Sequence, residues 1–278
     1  MNTEYKVGNA KIESQKNKIK YVKPKQSADT IFNFMTEFEH LQKALENRML
    51  SPRYCTENIS YLKINRIEAI AIPMKCFCDI NLHKLEEHIS WYGGYAIGFS
   101  KEYGRENGIQ PITYINEKSM LAADFRNAFN AALQDSSEDK NINKMKNYLL
   151  EQLMYVKPIE GKTFNHSMQK QKKKCLTDEQ EWRFIPSMEM LASYNMKQVI
   201  IDKNELDKSV LLLESNALDG KKECSLLFEY GDIKYMMVMS EQDSMQLCKV
   251  ISKLDTDEEE KRQLYSKIIV WDTWKGDL

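Results

Sequence analysis

Three carboxylates, Asp178, Glu179 and Glu181, stand directly before Trp182 and Arg183. Carboxylates crowded in this way hold a divalent ion or supply a general base, and on a strand the alternation of side chains sends Glu179 and Glu181 to one face and Trp182 to the other. A solvated acidic turn, with Glu181 or Arg183 in a salt bridge, accounts for the same residues and is the plainer reading. Tyr92 and Tyr95 flank Gly93 and Gly94. Flat rings beside backbone that a ligand can approach suit a planar ligand, while an ordinary half-buried strand explains Tyr95 equally well. Cys76 and Cys78, with Asp79, His83 and His88 downstream, suggest a metal site, but C-x-C is not zinc-knuckle spacing and the chain has four histidines in all. Buried thiols in a core are expected there, and no metal.

The elements that must position these residues are legible in outline. Phe38, Leu41 and Leu45 recur on one helical face, with Thr36 and Glu39 at capping-box spacing and Pro52 beyond the end, which predicts a helix from about Thr36 to Met49. Arg66 to Ile80 is strand-like and interrupted by Pro73. Five of the ten glycines (Gly93, Gly94, Gly98, Gly104, Gly108) fall between Trp91 and Ile115, so tight turns or close approach are concentrated there. Ala96 to Phe99 and Trp182 to Ile185 are expected as strands of one sheet, with a helix capped by Ser100 between them. Helices are expected from Asn116 to Leu133, Ile142 to Tyr155 and Ser244 to Leu254. Strands are expected at Val199 to Ile201, Val210 to Leu213, Leu226 to Tyr230, Ile233 to Met239 and Lys267 to Trp271. Pro158 to Thr177 is polar and aperiodic and reads as a loop. Strands and helices do not alternate strictly, which points to an α+β fold with a mixed or largely antiparallel sheet and flanking helices.

The composition excludes several classes of protein. With 278 residues, 42% hydrophobic and 29% charged, the chain is an ordinary globular sequence rather than a disordered one. Forty basic against 41 acidic residues leave a net charge of −1, unlike proteins that grip nucleic acid over a broad surface. Residues 1–27 carry many lysines and read as a basic arm preceding one α+β domain over 28–278, nucleic acid being a less favoured partner of that arm. No apolar run has membrane-spanning length, and no apolar stretch follows the N-terminal lysines, so a cytoplasmic protein without membrane attachment is expected. Six irregularly spaced cysteines are expected as reduced thiols. A Walker loop, a dinucleotide fingerprint, a serine nucleophile elbow and H-E-x-x-H are all missing.

One ordered series ties the informative segments together: Phe32–Asn33–Phe34, Pro52–Arg53–Tyr54–Cys55, Ile72 to Ile80, His88, Tyr92 to Glu102, and Asp178 to Pro186. Across roughly residues 28 to 190, with Asp232 to Tyr235 in addition, this series resembles the AbiGi family of abortive phage-resistance proteins. The resemblance implies a bacterial defence protein acting as antitoxin to a cognate nucleotidyltransferase-like toxin. The order of parts is also similar to that of DarT-like ADP-ribosyltransferases. That likeness implies an ADP-ribosyltransferase-like fold using NAD as cofactor, with Tyr92 or Tyr95 packing nicotinamide and Glu181 as the catalytic glutamate. At the first-strand position, where such enzymes carry His or Arg, this chain has Asn33, an amide without an imidazole or a cationic fork. A ligand-binding cleft formed by Asn33, Tyr92, Gly93, Gly94, Tyr95, Glu181 and Arg183 is therefore expected, suited to a nucleotide or nicotinamide-bearing ligand.

Overall fold

The computed structural model describes residues 27–65, 67–165 and 167–276. Strand β1 (Thr30–Met35), helix α1 (Phe38–Asn47) and strands β2 (Met49–Leu50), β3 (Arg53–Asn58) and β4 (Ala69–Cys78) come first. They are followed by α2 (Leu85–Tyr92), β5 (Tyr95–Ser100), α3 (Lys101–Glu106), β6 (Gln110–Pro111), β7 (Thr113–Ile115), α4 (Met120–Gln134) and α5 (Lys140–Met154). Next are β8 (Val156–Pro158), β9 (Glu160–Asn165), β10 (Lys170–Cys175), β11 (Glu181–Phe184), α6 (Met188–Ala192) and α7 (Lys208–Leu218). The chain closes with β12 (Leu226–Leu227), β13 (Ile233–Val238), α8 (Glu241–Ser252), α9 (Glu258–Ser266), β14 (Ile268–Val270) and α10 (Trp271–Trp274).

The main sheet runs β14-β13-β5-β1-β4-β11-β6, with β3 also paired to β4. Its pairs are antiparallel except β13 with β14, so the fold is α+β with a mixed sheet. The central strands carry apolar, β-branched and aromatic residues on both faces because helices cover both. Ile31, Ile97, Phe99 and Met236 point into the core shared with α1 and α8. Their neighbours Phe32, Ala96 and Met237 point the other way, onto Leu85 of α2 and Trp271. Strand β4 divides its side chains in the same manner: Ile70 and Ile72 pack with the α4–α5 hairpin, Ala71 with Leu191 and Leu211 of α6 and α7. The two strands expected to share a sheet, β5 and β11, do so, separated by β1 and β4.

Several expectations are corrected. Helix α1 has Glu37 at its N-cap with no side-chain cap bond, so Thr36 and Glu39 form no capping box. Pro73 does not break β4. The N–H and C=O of Ala71 both bond Ile200, and Asp79 N bonds Gln180 O, so odd-numbered backbone groups of β4 face that edge. The missing N–H of Pro73 falls there between Ile200 and the first pair with β11 at Lys75, where no strand needs a donor. Residues 158–177 are not a loop: β9 and β10 form a six-pair hairpin, obscured in the sequence because polar residues occupy both faces. Val210 to Leu213 lies in α7, which Asp207 caps by accepting from Ser209 N. The helix buries Leu211, Ser215 and Leu218 and leaves Leu212 and Leu213 exposed, so an apolar run there mimics a strand. Val199 to Ile201 supplies only the bridge from Ile200 to Ala71, and the Leu226 strand is two residues long. The basic arm lies outside the described residues except for Ser27, whose hydroxyl accepts from Lys101 Nζ at 2.7 Å.

Candidate functional site

The site arises from incomplete pairing along one edge of β4. Even-numbered backbone groups of β4 face β3 and β1, yet β3 pairs only as far as Met74, and β1 meets β4 only where Phe32 opposes Cys78. The edge between them is open. Asn33 of β1 donates from Nδ2 to Cys76 O at 2.8 Å, serving a carbonyl that a longer ladder would have paired. Around this gap lies a cavity of about 340 Å³ whose lining includes Asn33, Phe34, Cys76, His88, Tyr92 and Glu181. It continues into a second lobe of about 480 Å³ bounded by His40, Lys43, Arg53, Lys75 and Asp219, with Phe34, Arg53, Cys55, Lys75 and Tyr92 common to both.

The floor of the first lobe is a buried ion network. Arg183, fully buried on β11, donates to Glu181 Oε1 at 2.6 Å, to Met154 O at 2.6 Å and to Glu57 Oε1 at 2.8 Å. Lys157 of β8 bridges Glu179 Oε2 at 2.7 Å and Glu181 Oε2 at 2.8 Å. Lys174 of β10 reaches Glu179 Oε1 at 3.0 Å while lying 4.5 Å from the Trp91 ring and 5.0 Å from the Tyr92 ring. The Tyr92 hydroxyl donates to Glu179 Oε1. Three carboxylates thus face three cations, and the network neutralises itself. Gln180, in the left-handed region at φ 41°, turns the chain from Glu179 into β11, and the Glu181 amide donates to the Tyr114 hydroxyl at 3.0 Å.

Burial alone would raise the Glu181 carboxyl, but Arg183 and Lys157 outweigh it and hold it well below the usual carboxylate range. Glu179 is lowered in the same way, burial being offset by Lys157 and Lys174. A carboxylate so held does not take up a proton near neutrality, which suits anchoring or electrostatic stabilisation rather than proton transfer. Burial raises the Cys55 thiol to about 11 and Cys76 well above its usual value, so both stay protonated and unreactive. No group of three or more His, Cys, Asp or Glu placed to hold a metal occurs among the described residues. All six thiols are free.

His88 sits between Phe34 and Tyr92, ring centroids 4.9 and 4.6 Å away, and burial together with Lys174 pushes its pKa down to about 4. The imidazole is therefore neutral at physiological pH. Its folded value lies below the unfolded one of about 6.5, so the unfolded chain binds more protons between them. The contribution of His88 to stability is expected to be complete above about pH 6.5 and to fall as pH drops towards 4. NMR titration should show no His88 protonation between pH 6 and 7, and a His88→Phe variant should lose that part of the pH dependence in urea unfolding.

Of the residues singled out in the sequence, Asn33, Tyr92 and Glu181 line the cavity. Arg183 lies beneath Glu181 rather than in the lining. Tyr95 points away on β5, its ring edge-on to Phe38 at 5.9 Å. Gly93 ends α2 at φ +104°, and a Cβ there would collide with the Met35 carbonyl; a Cβ on Gly94 would collide with the Met239 side chain. Both glycines therefore accommodate the protein's own packing. Trp182 packs against the main core, opposite Glu181. Glu57, Lys75, Lys157 and Lys174 were not legible as site residues. Lys75 left one signal, as the sole charged residue in the ten-residue apolar strand β4.

Comparison with known proteins gives this geometry a context. The family model described as "Putative abortive phage resistance protein AbiGi, antitoxin" matches residues 47–239, more than half of the chain. The chain belongs to the AbiGi family. A relative named abortive phage resistance protein AbiGi, from Lactococcus lactis subsp. cremoris, is 32% identical over 250 residues, covering 81% of this chain and 98% of the relative. The AbiGi match spans β3, β4, β11 and β13 and both sides of the ion network, and the aligned length leaves little of the relative uncovered. No solved structure matches the chain. No helix among the described residues is long and apolar enough to cross a membrane.

Proposed function

We propose that this AbiGi-family chain is the antitoxin of an abortive-infection pair and restrains a co-encoded, nucleotidyltransferase-like toxin in the cytoplasm. The observation that carries the reading is the antitoxin description of the family whose model matches residues 47–239. The near-complete coverage of the Lactococcus relative, whose name denotes abortive phage resistance, supports it. The chemistry of the cleft agrees with a recognition role. Its thiols are held protonated, its histidine is held neutral, and Glu179 and Glu181 are committed to internal cations.

The test is growth of cells expressing the neighbouring toxin gene alone or together with this chain. Arrest by the toxin alone and recovery on co-expression are expected. Equal arrest in the two cultures removes the antitoxin reading.

A further inference from the structure

We infer that the cleft beside β4 binds a nucleoside phosphate, with an N–H of the base donated to Asn33 Oδ1 and the phosphate held by Lys75 and Arg53. This inference does not depend on the antitoxin reading and fails separately from it.

The first support is an acceptor without a donor. Asn33 is 5% exposed, and its Oδ1 is buried with no hydrogen-bond partner. Its amide cannot be turned round, because Cys76 O only accepts and must face Nδ2 at 2.8 Å. Asn33 is among the residues that line the cavity, and its Oδ1 is an acceptor with no donor among the described residues. A ligand presenting N–H at that point satisfies it, and one presenting only acceptors does not. Beside Asn33 the rings of Phe34, His88 and Tyr92 form an aromatic wall on which a flat base can lie.

The second support is independent and lies where the two lobes join. Lys157, Lys174 and Arg183 all have carboxylate partners. Lys75 has none among the described residues, although burial already disfavours its charged form. Among the described residues the Arg53 side chain meets Asp219 at 3.6 Å and Asn216 at 3.5 Å, and Asp219 is more closely bound to Lys43 at 2.9 Å. The second lobe therefore holds Lys43, Arg53 and Lys75 against Asp219 alone. Burial and the neighbouring Arg53 and Lys75 keep the His40 pKa lowered, which disfavours a further positive charge there. Lys75 without a carboxylate partner among the described residues, beside an Arg53 that shares Asp219 with Lys43, marks the place of an anion brought by the ligand. The neutral first lobe with its orphan acceptor and the cationic junction together match a base at one end and a phosphate at the other.

The experiment is titration calorimetry on the full chain with AMP, GMP, CMP, UMP and NAD, and with adenosine and inorganic phosphate as part-ligands, paired with thermal unfolding of the unliganded protein. At least one nucleotide is expected to bind at least tenfold more tightly than adenosine or phosphate. Lys75→Met is expected to weaken that binding at least tenfold while raising the Tm of the unliganded protein, because it removes a partly buried amine that has no carboxylate partner among the described residues. Asn33→Leu should weaken the nucleotide but leave phosphate binding unchanged. Absence of nucleotide binding at millimolar concentration, unchanged binding in Lys75→Met, or a fall in its unliganded Tm would each overturn the inference.

Discussion

Arg183→Met is expected to lower the unfolding free energy by about 3–5 kcal/mol, among the largest losses available to a single substitution in this chain. The guanidinium is fully buried and serves Glu181, Glu57 and the Met154 carbonyl together. Methionine fills much of the same space but leaves two carboxylates in low dielectric with one fewer cation between them. Arg183→Lys should also be costly, since one ammonium on a flexible stem cannot reproduce a planar fork aimed in three directions. Urea unfolding followed by circular dichroism reads the effect as a lowered midpoint at unchanged slope. The same network sets the acid limb. Glu179 and Glu181 have folded pKa values below their unfolded ones, so their stabilisation is complete above about pH 4.3 and is lost as pH falls through the lowered values. In Arg183→Met that limb should move to higher pH. A variant as stable as wild type would show that the network contributes nothing net.

Gly93→Ala is expected to cost about 3 kcal/mol or more, from a single added methyl group. Gly93 ends α2 with φ +104° and ψ 167°, a region accessible almost only to glycine, and the new Cβ would overlap the Met35 carbonyl on β1. The backbone of β1 cannot yield easily, because it pairs with β5 over all six residues. Relief must come from α2, which carries His88 and Tyr92 into the cleft. The substitution should therefore reduce stability and also disturb the Tyr92 contact with Glu179. Tyr92→Phe, which removes the hydroxyl that bonds Glu179 and Thr163 and leaves the backbone unchanged, should cost about 1–2 kcal/mol and serves as the comparison. Equal midpoints for Gly93→Ala and wild type would mean that the β1–α2 junction is looser than its geometry.

How much of this was legible beforehand follows from the range of the interactions involved. Helices α1, α4, α5 and α8 and strands β5, β11, β13 and β14 show in the sequence because each has an apolar periodicity or a capping residue of its own, as Ser100 does for α3 and Ser240 for α8. The β9–β10 hairpin and α7 were misread because their patterns answer to something outside themselves. Lys174 takes an inward position for the sake of Glu179, and Leu212 and Leu213 face solvent. Asn33, Tyr92 and Glu181 were found as residue types that do chemistry beside aromatic or glycine-rich backbone, and they do line one cavity. The reading of Tyr95 and of the paired glycines as part of it did not anticipate that strand alternation turns Tyr95 to Phe38 and that Met35 and Met239 fill the space above the glycines.

By itself the sequence determined the family, the α+β class and the local elements, because these rest on residue order and short-range periodicity. Only the tertiary structure decided that β1 and β3 leave one edge of β4 open from Lys75 to Phe77, that Lys157 and Arg183 converge on Glu181, and that Lys75 has no carboxylate partner among the described residues. Those outcomes depend on which strands fail to meet and on charges brought together from 26 positions apart, between Lys157 and Arg183, or from 126, between Glu57 and Arg183. No local pattern encodes such separations, since the energy that selects them is burial and charge pairing across the assembled sheet.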